Sequence, residues 1–208
     1  MTVKIHPTAI VETDKIGDGS VIGCFTYIGK NVEIGKNCWI SGFVSIGMKG
    51  QNPMERDCRV GYVRIGNDVV IREHTSIHAG ITTLTEIDNG CYIMANVHIG
   101  HDVKLGKYVT VGSGSSIAGY VIVEDYSFLG INTSIHQRSM LGRWCMLGAG
   151  SFFKGISPDA IVWVGVPAEP LRVNTLALDR FPPSNREIIE LMARRYTDDK
   201  ALQRTTTK

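Results

Sequence analysis

The sequence predicts an all-β protein, a parallel β-helix with a short α-helical appendage at its C-terminal end. Three observations carry this. Isoleucine recurs at every sixth residue through Ile10, Ile16, Ile22, Ile28, Ile34, Ile40 and Ile46. Glycine follows most of them, at Gly17, Gly23, Gly29, Gly35 and Gly47. Small or β-branched residues stand four after several of them, at Ser20, Thr26, Val32, Cys38 and Val44. A period of six fits neither the 3.6-residue helix nor the two-residue strand. It fits a three-sided coil whose aliphatic residues point to the axis and whose glycines stand at corners where a side chain would clash. Coils of about eighteen residues then stack at the ~4.8 Å strand separation, and the repeat-bearing length suffices for about eight of them. A β-sandwich of short strands does not hold so strict a register.

The elements follow in order. The opening run ends at Ile46, residues 47–64 (with Gln51, Asn52, Pro53 and Met54) break the register, and Ile65, Ile71 and Ile77 restore it. A second excursion falls at residues 80–85. The period then runs through Ile93, Ile99, Leu105, Val111, Ile117, Val123, Leu129, Ile135, Leu141 and Leu147. Loops expelled from a solenoid collect on one face and carry its binding function. The repeat fades after Ser151, and Pro158, Pro167 and Pro170 mark an exit loop. The expected division is a β-helix domain over 1–166 and a C-terminal loop and helix over 167–208. Within the latter, Ser184 and Glu187 form a capping-box pattern, and Ile188, Ile189, Met192 and Tyr196 follow at helical spacing.

A formal net charge of +2 argues against a nucleic-acid module. With no long apolar stretch and no basic-then-apolar leader, the expectation is a cytoplasmic protein without a membrane span. The cysteines Cys24, Cys38, Cys58, Cys91 and Cys145 are odd in number and lack metal-ligand spacing, so they read as reduced thiols.

The densest polar cluster is Asn96-Val97-His98-Ile99-Gly100-His101-Asp102. Histidine titrates near neutrality and can take a proton from an alcohol or amine when a carboxylate orients its ring. Asp102 adjoins His101, Gly119 lies one coil on in the same column, and Gln137 two coils on. That column offers a base, an unobstructed backbone N–H and an amide. A zinc site formed by His98, His101 and His136 in a trimer is the competing reading.

Here the chain resembles the UDP-N-acetylglucosamine acyltransferases that begin lipid A synthesis, of the hexapeptide left-handed β-helix superfamily. The matching residues are Ile5-His6-Pro7-Thr8-Ala9-Ile10-Val11, Ile71-Arg72-Glu73, Ile77-His78, the run from Asn96 to Asp102, Ala118-Gly119, Ile135-His136-Gln137, Val173-Asn174 and Arg180. The resemblance implies a left-handed helix and a homotrimer with active sites between adjacent prisms. It implies His101 as general base, supported by Asp102 and His98, with the Gly119 N–H stabilising the thioester oxyanion. Gln137 would lie near the acyl or pantetheine arm, Gln51 over the sugar, and Asn174 and Arg180 on the nucleotide, with His136 also binding substrate. Ala149 falls where the family limits acyl-chain length. Acyl carrier protein, through its phosphopantetheine thioester, is the implied donor, with acyl-coenzyme A second. No metal or resident cofactor is implied.

Three departures bear on the acceptor or acyl-donor side and not on the proton-transfer core: Met54 replaces a lysine, with Arg56 a candidate stand-in, Tyr120 replaces a histidine, and Leu176 replaces a glutamate. The expected activity is acyl transfer to a hydroxyl or amino group of a nucleotide sugar resembling UDP-N-acetylglucosamine. The alternatives are an acetyl-coenzyme A-dependent sugar acetyltransferase, a carbonic-anhydrase-like zinc enzyme, and a non-catalytic scaffold. Basic residues Arg72, Lys104, Lys107, Arg138, Arg143 and Lys154 are expected in or near the cleft, where they either receive an acidic carrier protein or a phosphopantetheine or form a solvated prism face.

Overall fold

A computed structural model describes residues 2–51 and 61–178, together with Glu187, Leu191, Arg194 and Tyr196. Among these residues the chain forms a parallel β-solenoid of about eight turns. Its three sheets have ten, eight and six strands. The first sheet runs from Lys4–Ile5 to Glu169–Val173, the second from Ile10–Val11 to Phe152–Phe153, and the third from Val32–Ile34 to Met140–Leu141. Stacking is in register: on the second sheet Ile77, Ile99, Ile117, Ile135 and Phe153 lie one above the other. Ile28, Ile40, Ile71, Ile99 and Ile117 are wholly inaccessible to solvent, so the periodic positions form one continuous apolar column. The first described coil differs: Ile10 is 61% exposed.

Each corner repeats one set of devices. The residue three after the core aliphatic takes a left-handed backbone conformation, as at Asn37, His74, Asn96, Asp102, Tyr108, Tyr120, Tyr126, Arg138 and Trp144. Most of these residues are not glycine, although L side chains adopt that region reluctantly. The glycines after the aliphatics answer a different demand. A Cβ on Gly17 would stand 2.6 Å from the carbonyl carbon of Gly35, and one on Gly35 would stand 2.5 Å from the Gly66 oxygen. Close approach between coils selects glycine there. The small residues four after the aliphatics turn inward and satisfy carbonyls of the next coil. Ser20 donates to Gly35 at 2.9 Å, Cys91 to Gly106 at 3.0 Å, Ser127 to Gly142 at 2.8 Å and Cys145 to Pro158 at 3.0 Å. Such polar groups are tolerated inside because they are paired. Burial pushes the thiol pKa up to about 12 at Cys91 and about 11 at Cys145, so these thiols are packing groups and not nucleophiles. The described cysteines are free; Cys58 lies outside the described residues.

The register differs from expectation at three places. The first strand before the break extends to Met48, and pairing resumes at Tyr62–Ile65. After the second excursion the register returns at Ile87, earlier than Ile93, because Leu84–Ile87 pairs along its whole length with Tyr62–Ile65. At the far end Phe153 continues the core column beyond Leu147. Residues beyond 166 are not detached from the prism: Glu169–Val173 turns back antiparallel on Ile161–Val164. A short helix, Thr175–Leu178, follows. The capping box at Ser184 and the apolar positions Ile188, Ile189 and Met192 lie outside the described residues. Glu187, Leu191, Arg194 and Tyr196 are helical, and the Tyr196 ring docks 6.0 Å from Trp163.

Candidate active site

Both excursions leave from the edge joining the second sheet to the third, and both end against His101. A Cβ on Gly50, in the first loop, would lie 3.0 Å from the His101 Cβ and 2.5 Å from Cγ1 of Ile81 in the second. Gly61 closes the first loop by donating its N–H to the Gly80 carbonyl at 3.0 Å. Between the loops and the next coils lies a cleft of roughly 220 Å³, lined by Gln51, His78, His98, His101, Gly119 and Gln137 among others. The expected column is present: the His101 ring stands directly over Gly119, where a Cβ would come within 2.6 Å of its Cε1. Any side chain at 119 would push the ring aside.

The second excursion clamps the Asp102 carboxylate. The N–H groups of Ile81, Thr82 and Thr83 donate to it at 2.9, 3.1 and 2.6 Å. The hydroxyls of Thr82 and Thr83 donate at 3.1 and 2.8 Å. Burial by itself would raise the Asp102 pKa, but these donors and the His101 ring outweigh it and hold the carboxyl well below the usual carboxylate range. An ionised carboxylate only accepts hydrogen bonds. The 2.8 Å contact between His101 Nδ1 and Asp102 Oδ2 therefore puts a proton on Nδ1, so that in the neutral ring the lone pair sits on Nε2. The His101 side chain remains 13% accessible while that of Asp102 is wholly buried, so the base is reachable and its orienting partner is not.

His98 is half-buried in a ladder of small polar residues, Ser76, His98, Ser116 and Ser134. Its Nδ1 shares a 3.0 Å hydrogen bond with Ser76 Oγ. Burial, and secondarily the neighbouring His78, lower its pKa, which favours the neutral ring. His78 completes the cleft wall, edge-on to His98 at 5.0 Å, with its Nδ1–H donating to the Lys49 carbonyl at 2.7 Å. His78 was not among the expected site residues, although it directly precedes the second excursion, where the chain leaves the regular register. His136 faces outward beside Phe152 and lines a shallower apolar groove with His98, Ser116, Ser134 and Gln137. Among the described residues, no three His, Cys, Asp or Glu side chains are grouped to hold a metal ion.

Other expected site residues stand apart. Asn174 is buried at the edge joining the third sheet to the first, where its Nδ2 donates to the Trp144 carbonyl at 2.8 Å. Within one chain it does not reach His101. Arg180, Met54 and Arg56 lie outside the described residues, and Leu176 is 74% exposed. Tyr120 meets the His101 ring edge-on at 5.0 Å. Of the six basic residues, Arg72, Lys104 and Arg143 stand away from the cleft. Arg72 pairs with Glu73 on another edge, Arg143 pairs with Asp159 on the third, and Lys104 sits in the third sheet opposite Glu86. Arg138, next to Gln137, stays at the cleft rim. The eighteen-residue turn distributes nearby sequence positions over three sides, which explains the dispersal.

Comparison with known proteins agrees with this architecture. Residues 85–119 match the bacterial transferase hexapeptide (six repeats) family. The chain is 34% identical to an acyl-[acyl-carrier-protein]–UDP-N-acetylglucosamine O-acyltransferase of Burkholderia orbicola, over 85% of this chain and 76% of that protein. Its fold superposes on LpxA from Acinetobacter baumannii with a TM-score of 0.79 at 26% identity, covering 91% of this chain and 80% of that one. Bacteroides fragilis LpxA, a UDP-N-acetylglucosamine acyltransferase, superposes with a TM-score of 0.75 at 28% identity, over 94% of this chain and 82% of that one. The solenoid is thus the left-handed β-helix of those structures. The chain is an acyltransferase and belongs to the UDP-N-acetylglucosamine O-acyltransferase family.

Proposed function

We propose that this protein moves an acyl group from the thioester of acyl carrier protein to a hydroxyl of UDP-N-acetylglucosamine, with His101 as general base. One observation carries the reading: an imidazole in the wall of the cleft whose Nδ1–H is tied to a buried, ionised Asp102, which leaves Nε2 to act as the base. Nε2 takes the hydroxyl proton as the oxygen attacks the thioester carbonyl. A C–O bond forms, the C–S bond breaks, and the imidazolium returns its proton to the departing thiolate. The Gly119 N–H, which has no partner among the described residues, stabilises the oxyanion between these events. His98 stays neutral beside the cleft, and Gln51 and Gln137 orient the acceptor and the donor arm. The groove from His98 to Phe152 takes the acyl chain, and Ala149 sets the chain length. No resident metal or cofactor enters the scheme.

Asn174 and His101 occupy different edges, so both serve one site only when adjacent copies meet. This supports a homotrimer in which Asn174 and Arg180 of one subunit bind the nucleotide beside His101 of the next. No described helix is long and apolar enough to cross a membrane. With free thiols and an acyl thioester donor, we place the enzyme in the cytoplasm.

The test is acyl transfer by wild type and by His101→Ala. The variant is expected to keep its oligomeric state and lose activity on the order of 10²–10⁴-fold. Turnover close to wild type would remove His101 from the mechanism.

A further inference from the structure

The rim of the cleft holds a second recognition device, formed by Tyr120 and Arg138. Backbone pairing stacks them on successive coils: the Tyr120 N–H donates to the His101 carbonyl at 3.0 Å and the Arg138 N–H to the Gly119 carbonyl at 3.1 Å. The Arg138 guanidinium carbon lies 4.4 Å from the centre of the Tyr120 ring. That ring is the one standing edge-on to His101. Imidazole, phenol ring and guanidinium are therefore contiguous along one edge, with Gln137 lining the cleft beside them.

Among the described residues, the charge on Arg138 is uncompensated. Arg64, Arg72 and Arg143 each hold a carboxylate, of Glu86, Glu73 and Asp159. Arg138 forms no ion pair among the described residues, and its side chain is exposed. An aromatic face fixes a guanidinium through its quadrupole without consuming the N–H donors. The planar fork that remains matches a phosphate group in geometry and charge. A histidine at 120, the residue the family resemblance leads one to expect, would carry positive charge when protonated and repel Arg138; tyrosine seats it.

We propose that Arg138, seated on Tyr120, is a binding residue for a phosphate group of one of the two substrates. The shared chemistry is a phosphate ester, supplied either by the diphosphate of the nucleotide sugar or by the phosphopantetheine of the donor. This rests on the function proposed above.

The experiment compares full-length wild type with Arg138→Gln and Arg138→Lys in steady-state acyl transfer, varying acyl carrier protein thioester and UDP-N-acetylglucosamine separately. Calorimetric titrations with UDP and with phosphopantetheine run alongside. Arg138→Gln is expected to raise KM about tenfold for one substrate, with kcat lowered no more than roughly twofold, and to flatten the salt dependence of that KM. Arg138→Lys recovers part of the loss. Weakened UDP binding assigns the phosphate to the acceptor; weakened phosphopantetheine binding assigns it to the donor. The proposal is overturned if both KM values and both affinities stay within roughly twofold of wild type in Arg138→Gln. It is equally overturned if kcat falls while KM holds, since Arg138 would then act on the base through Tyr120. Wild type that binds both ligands but transfers no acyl group defeats the proposed function instead, and the titrations still judge Arg138.

Discussion

Between Leu105 and Leu147 the prism is uniform, with every coil closing on the one before and its core positions stacked in register. Between Ile46 and Ile87 the same edge is broken twice. The two regions use opposite physics. In the uniform stretch, side chains do the work: buried aliphatics fill the axis, and most backbone N–H groups, that of Gly119 excepted, are consumed by the neighbouring coil. In the broken stretch, the backbone of residues 81–83 is released from pairing, and its N–H groups are turned onto one carboxylate. Regularity stabilises this molecule; departure from regularity creates a site that can hold a charge out of water.

Mutations that touch only one region sharpen the contrast. The largest effect is expected from Asp102→Asn, which leaves the column intact but removes the charge that orients His101 and offers an NH2 group to N–H donors. Activity should fall on the order of 10²-fold or more. The same variant carries a pH signature. Because the folded carboxyl is held below its ordinary pKa, its stabilising contribution is fully present above the unfolded value of about 4 and is lost as pH falls. The gap in melting temperature between wild type and Asp102→Asn should therefore be widest near neutrality and close under acid. A constant gap would mean that the clamp does not depend on ionisation.

Next in size is Ile117→Ala in the uniform column, where the side chain is wholly buried. Denaturant unfolding should show a loss of about 2–5 kcal/mol, with kcat per folded molecule unchanged. A comparable loss of kcat would show that the column tunes the site.

The smallest effect falls on Thr83→Val, which deletes one of the hydroxyls on Asp102. A loss of about 1 kcal/mol in stability is expected. With one donor fewer, the carboxylate is more basic and holds the imidazole proton more tightly. The acid limb of the kcat/KM profile should then move to higher pH. An unmoved limb would confine Thr83 to loop structure.

Much of this was legible beforehand. A period of six repeats its own instruction in every coil, so the core could be read from Ile22 to Leu147 without knowing any contact. His101, Gly119 and Gln137 were placed in one column by counting eighteen-residue steps. The second excursion hid its purpose. Nothing in Ile81-Thr82-Thr83 marks it as a carboxylate clamp, because the donors are backbone N–H groups whose direction depends on how the loop turns. His78 was similarly hidden, since it joins His98 and Gln51 only after both loops fold over one edge. The misplaced basic residues show the limit of counting. Arg138 and Arg143 lie five positions apart in the chain yet end on different edges.

By itself, the sequence determined the three-sided column, its buried ladder and the histidine-aspartate pair on one corner. These depend on local repetition, and each repeat restates the geometry of the last. Only the tertiary structure decided which charges are paired and which stand open, and how residues 81–83 keep Asp102 ionised. Those outcomes depend on contacts between unlike segments, whose energies come from the direction and burial of groups that no periodicity encodes.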